Sequence, residues 1–119
     1  MQTMEATAQS TLNHHLEAFG KNDLHAIMED YSEESEVWTP EGIIAGREAI
    51  ESFFKYAFTL FPKESTRFNL QKLLVKENRA YITWDAESDV VNVPYATDSF
   101  EIEDGTIIWQ TTAFQMINK

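Results

Sequence analysis

His15 and Asp98 are the residues of this chain whose type and setting point most directly to chemistry. His15 stands three residues after Leu12 and four before Phe19, so an imidazole falls inside the apolar stripe of a helix that also carries Ala8 and Leu16. Its neighbour His14 belongs to the opposite, polar face. Asp98, within "ATDSF", interrupts a mostly apolar strand. A buried carboxyl has a raised pKa, and in its neutral form it donates a hydrogen bond to a developing oxyanion; a cationic His15 nearby would instead keep it ionised. Those roles are opposite, and a third is structural, with Asp98 pairing to His15 or Tyr31 to satisfy buried polar atoms. Trp38, Phe54, Trp84, Phe100 and Phe114 are the aromatic side chains expected to wall a cavity around the pair, with Tyr31 in support.

Other chemistries find little support. Cysteine is absent, which excludes thiol catalysis, cysteine metal sites and a disulfide framework. The three histidines show no spacing that pairs them with each other or with carboxylates as ligands, so no metal is expected, nor any cofactor. "GREAI" lacks the glycine repeat and the lysine of a phosphate loop, and there is no Gly-x-Ser-x-Gly elbow. Twenty acidic against nine basic residues give a net charge of −11, which repels polyphosphate and anionic lipid and makes nucleic acid and membrane surfaces poor partners. "MQTMEATAQSTLNHH" has neither a basic start nor a long apolar run, and no segment nears the roughly 18–20 apolar residues of a spanning helix. A cytoplasmic location is the expectation that fits.

The elements that must position these residues are legible in the spacing. At 119 residues, 43% hydrophobic and 13% aromatic, the chain is read as one domain, 1–119, that folds without a metal or disulfide staple. A first helix is predicted over about 3–19, capped by Gly20, and a shorter one in "KNDLHAIMEDY" with Asn22 or Asp23 as N-cap and Leu24, Ile27, Met28 and Tyr31 on its buried edge. A strand at 36–39, a turn at Pro40–Gly42 and a returning "IIA" follow. A third helix, entered at Gly46, carries Ile50, Phe53, Phe54, Ala57 and Phe61 and ends near Pro62. Long strands are predicted at about 66–76, 80–91, 95–103 and 106–117, separated by "ENR", "NVP" and "EDG". Strands of that length curl. The fold expected is α+β, with three N-terminal helices packed on a curled antiparallel sheet around a conical cavity.

"NDLHAIMEDYSEESEVWTPEG", "AGREAIESFF" and "TDSFEIEDGTIIWQTTAF", in that order between Leu12 and Phe114, resemble the SnoaL-like branch of the nuclear transport factor 2-like superfamily. The resemblance implies a cystatin-like conical fold, shared with ketosteroid isomerase, scytalone dehydratase and limonene-epoxide hydrolase, and a family that also includes members with no catalytic role. It places the strand and turn of "EVWTPEG" and the helix start at "GREAI" at the open end of the cone. In isomerases of this kind a carboxylate base precedes the Pro/Gly turn; here that position is Thr39, whose hydroxyl has no useful basicity near neutral pH. The two deep donors fall on His15, where those isomerases have tyrosine, and on Asp98, which keeps the carboxyl type. Tyr31 matches a supporting tyrosine, and Phe54 replaces another. The resemblance thus implies a small-molecule pocket acting as an isomerase, lyase or cyclase on an apolar carbonyl or ring compound. Non-catalytic binding of an apolar metabolite and a dimeric association module are the alternatives.

Strand parity adds a register. A three-residue "EDG" turn with Gly105 left-handed sets Asp98 opposite Gln110 on one face with Phe100, Thr112 and Phe114, and leaves Trp109, Thr111 and Ala113 outside; a two-residue Asp-Gly turn swaps the sets. The family register favours the first. An outer face bearing Ile107 and Trp109 would be apolar, and a homodimer through that face is expected.

Overall fold

A computed structural model gives the fold for residues 3–119. The first helix, α1 (Met4–Gly20), starts where Thr3 Oγ1 accepts the amide of Ala6 at 3.0 Å, and it buries Ala8, Thr11, Leu12, His15 and Ala18. Its exit differs from expectation. Gly20 is the last helical residue, and the left-handed conformation falls on Asn22, with φ of 54°. Asparagine tolerates that region, and its amide ties the junction to the end of the third helix, donating to Phe61 O at 3.0 Å and accepting from Lys63 N at 2.7 Å.

The short α2 (Leu24–Met28) is capped by Asp23, whose carboxylate accepts from Ala26 N at 3.0 Å. Then come β1 (Glu36–Thr39), β2 (Gly42–Ala45) and α3 (Arg47–Leu60), the last turning the faces of Ile50, Phe54 and Ala57 inward. Gly46 enters α3 at φ of 87°, a conformation that side chains resist. Arg47 fastens the helix start to the end of α2 and the segment after it, donating to Met28 O at 2.8 Å and Tyr31 O at 2.7 Å.

The four long strands are β3 (Arg67–Lys76), β4 (Arg79–Glu87), β5 (Val91–Glu103) and β6 (Thr106–Asn118), and the sheet order is β2-β1-β6-β5-β4-β3. The sheet is mixed, because β1 lies parallel to β6 while every other pair is antiparallel. That junction is fixed by Ser35 Oγ donating to Ile107 O at 2.6 Å and by Ile107 N donating to Asp30 O at 2.7 Å. Register shifts interrupt β3–β4, β4–β5 and, twice, β5–β6. Each bulge adds local twist, which is how strands this long curl around a cavity.

Two turns differ from the sequence reading. β4 turns at residues 88–90 rather than at "NVP", because the Ser88 hydroxyl accepts from Val90 N and Val91 N at 3.0 and 3.1 Å and donates to Leu60 O at 2.7 Å. Pro94 is then inside β5, at a bulge where its missing N–H is not needed. The "EDG" turn has two residues, Asp104 and Gly105, both with positive φ (49° and 80°), and Glu103 pairs with Thr106. Yet Asp98, Phe100, Gln110, Thr112 and Phe114 still share one face. A bulge at Ile108 carries pairing from Ile102–Ile107 to Glu101–Trp109 and restores the parity, so that Asp98 faces Thr112 and Phe100 faces Gln110. The same shift corrects the expectation for Ile107, which is fully buried in the core and not on the outer face.

The main core gathers Leu12, Ile27, Val37, Ile50, Phe54, Phe100 and Ile107. A smaller cluster, Phe61, Ala86, Val91, Val93 and Ala96, fills the far end of the sheet, and Phe19 and Trp84 pack against both. Among the described residues no helix is long and apolar enough to cross a membrane.

Candidate functional site

Between α1, α3 and the inner face of the sheet lies a cavity of about 810 Å³. Its walls are apolar, drawn from α1 (Leu16, Phe19), α3 (Phe53, Phe54, Ala57, Leu60) and the strands (Phe68, Leu70, Ile82, Phe114), with Phe61 closing the end of α3. The β1–β2 turn, Thr39 to Ile44, forms part of its rim. Polar atoms reach it at His15, Asp98, Gln110 and Thr112, so the arrangement is an apolar chamber with one polar end.

That end is a connected network. Asp98 Oδ1 accepts from Trp84 Nε1 at 3.0 Å and from Thr112 Oγ1 at 3.1 Å, and Oδ2 accepts from Gln110 Nε2 at 2.9 Å. The other end of the Gln110 amide, Oε1, accepts from the hydroxyl of Tyr31. Tyr31 in turn lies 3.4 Å from His15 Nδ1. The His15 ring is held edge-on by Phe54 and Phe100, with centroids 5.8 and 5.5 Å away.

Burial dominates the electrostatics. It holds His15 down to about 3, helped by the nearby His14, so the imidazole is neutral at physiological pH. It raises Asp98 above the ordinary carboxylate range, with the hydrogen bonds from Trp84, Gln110 and Thr112 pulling the other way. Tyr31 is pushed well above its usual value by burial and by the charges of Asp98 and Asp30.

His15, Phe54, Trp84, Asp98 and Phe114 all border the cavity. Tyr31 stands behind the wall and acts through Gln110, and Phe100 is buried behind His15. Trp38 lies on the other face of the sheet, paired in register with Thr111, packed edge-on against Trp109 at 5.8 Å and 43% exposed. His15 and Asp98 share the cavity without touching, and the partners that satisfy Asp98 are Trp84, Gln110 and Thr112. Thr39 is taken up by its own turn, donating to Gly42 O and accepting from Glu41 N. Glu41 is an exposed carboxylate at the rim. Among the described residues no three histidine or acidic side chains converge as metal ligands. Sequence reasoning placed Gln110 on the inner face but gave it no part in the site. The signal was available, since a glutamine facing a core must find partners for both ends of its amide.

The sequence matches the SnoaL-like domain over residues 12–110. This chain belongs to that family. Its fold is shared with a protein from Mesorhizobium loti described as NTF2-like and of unknown function (22% identity, TM-score 0.79, covering 97% of this chain and 96% of the other). It is shared equally with a candidate ketosteroid isomerase from Kribbella flavida DSM 17836 (12% identity, TM-score 0.79, 98% and 84% covered). A SnoaL-like protein of unknown function from Burkholderia thailandensis E264 is also similar (18% identity, TM-score 0.75, 93% and 96% covered). Among curated proteins none matches the sequence. Identities this low carry the fold alone, so function has to be argued from the cavity of this SnoaL-like domain.

Proposed function

We propose that this SnoaL-like protein binds a largely apolar small molecule of ring-compound size in its cavity, with the polar end of the ligand against His15 and Asp98. The single observation that carries this is the cavity itself, about 810 Å³, apolar along its walls and polar at one end. A neutral environment-sensitive dye such as Nile red tests it. The dye should bind and brighten, and Ala57→Phe, which projects a ring from α3 into the chamber, should abolish binding while the protein stays folded. Unchanged dye affinity in that variant contradicts the proposal.

Acid–base catalysis of the isomerase or lyase type is a second reading, favoured by one observation. Two titratable groups with oppositely shifted pKa values, His15 lowered and Asp98 raised, face a single chamber. The hydroxyl at Thr39 weighs against a proton shuttle of the ketosteroid isomerase kind. Under this reading His15→Gln and Asp98→Asn each lose turnover of a ring ketone or hydroxy compound while retaining affinity for it.

The proposal extends to a homodimer built on the outer sheet face. Exposed Trp38 packed edge-on against Trp109 supports it; Ile107, buried in the core, contributes nothing there.

A further inference from the structure

The hydrogen bonds under the cavity have a direction. Asp98 is surrounded by hydrogen-bond donors. Trp84 Nε1–H, which can only donate, meets Oδ1 at 3.0 Å, and the amide nitrogen of Gln110, also only a donor, meets Oδ2 at 2.9 Å. With that nitrogen committed to Asp98, Gln110 must turn Oε1 toward Tyr31, and Oε1 can only accept. Tyr31 has one proton and gives it to Gln110, so it offers only lone pairs to His15. His15 Nδ1, 3.4 Å away, then carries the proton that points at Tyr31.

A neutral imidazole has a single N–H, so Nε2 of His15 is left as a bare acceptor. No described residue donates to it. Among the described residues no fully buried side-chain nitrogen or oxygen lacks a partner, so Nε2 is open to the cavity that His15 lines. The Asp98 carboxylate at this end is also an acceptor, and the Thr112 hydroxyl proton and one of the two Gln110 N–H bonds are spent on it. An ether or ketone oxygen placed between His15 Nε2 and Asp98 meets lone pairs on both sides, whereas a hydroxyl supplies the missing proton.

We infer that Asp98, acting through Gln110 and Tyr31, holds His15 as the Nδ1–H tautomer, so that the polar end of the cavity accepts hydrogen bonds and selects hydroxyl-bearing ring compounds over the matching ethers or ketones. Selection of this kind is the reverse of an oxyanion hole. Its ligand half rests on the binding reading proposed above; its tautomer half does not.

Two measurements on the full chain separate these halves. Long-range 15N–1H correlation of the 15N-labelled, ligand-free protein reads the tautomer directly and needs no variant. His15 is expected to show a protonated Nδ1 and an unprotonated Nε2, and a protonated Nε2 overturns the inference. For selectivity the probes are 2-naphthol and 2-methoxynaphthalene. The phenol should bind about tenfold tighter, the size of one net hydrogen bond, and Tyr31→Phe, which frees the tautomer, should reduce that to under about threefold. Equal affinities in the wild type, or a full preference surviving in Tyr31→Phe, overturn the inference. Should neither probe bind while the Nδ1–H tautomer is present, the binding proposal and the selectivity fail together and the directed network stands.

Discussion

Replacing His15 by glutamine should make the protein less sensitive to mild acid, and the size of the effect follows from burial. Unfolded, a histidine takes a proton near pH 6.5; folded, His15 takes one only near 3. The folded value of this base is depressed, so its contribution is intact above pH 6.5 and is lost progressively as the pH falls toward 3. At 1.36 kcal/mol per pH unit, lowering the pH from about 7 to about 5 should cost the wild type roughly 2 kcal/mol more than His15→Gln. Stopping there avoids the isoelectric region near 4.5, where solubility falls. The assay is urea unfolding of both proteins at the two pH values, reading the change in their stability difference. Carboxylates and the remaining histidines titrate in both chains and cancel in the comparison. A difference that stays constant within about 0.5 kcal/mol would refute the reasoning, because it would mean an imidazole hydrated as fully as in the unfolded chain.

Asp98→Ala leaves Trp84 Nε1–H and Gln110 Nε2–H without their acceptor and should lower stability by about 2–4 kcal/mol in urea unfolding. Asp98→Asn keeps one accepting oxygen and should lose clearly less, so equal losses would count against the network. His14 has its pKa raised chiefly by its hydrogen bond to Asp30, both carboxylate oxygens lying 2.9 Å from Nδ1. That stabilisation is present below the ordinary imidazole value and is lost as the pH rises through the raised one. His14→Gln should therefore be destabilising by at most about 1 kcal/mol in mild acid, fading in alkali, because the ring is half exposed; a penalty that grows with pH would contradict this. For the proposed outer-face dimer, sedimentation should find the wild type dimeric and Trp109→Glu monomeric, since a charge cannot replace a buried anchor cheaply, and a dimeric variant removes the assignment.

Helices were legible because their signals are local. Ile50, Phe54 and Ala57 repeat at helical spacing and are buried as that spacing requires, and His15 was placed inward by its distance from Leu12 and Phe19 alone. Strand existence was legible too, down to the bounds of β1. What escaped the sequence was pairing between distant segments. Nothing local says that β1 runs parallel to β6, since that is decided by Ser35 and Asp30 meeting Ile107 across more than seventy residues. Faces survived an error in the turn because two deviations cancelled. The shorter Asp104–Gly105 turn would have inverted β6, and the bulge at Ile108 inverted it back, but only beyond Ile107, which is why Thr106 and Ile107, ahead of the bulge, changed sides. Trp38 shows the opposite failure. A tryptophan beside a pocket mouth satisfies either face of a strand, and only the register with Thr111 sends it outward.

A crystal structure of the protein grown with saturating 2-naphthol tests the central claim, that the chamber behind the β1–β2 turn is the ligand site, most directly. The expected result is a ring lying between Phe54 and Trp84, with its hydroxyl within hydrogen-bonding reach of His15 Nε2. An empty chamber, or a ring seated on the outer face at Trp38 and Trp109, would contradict it.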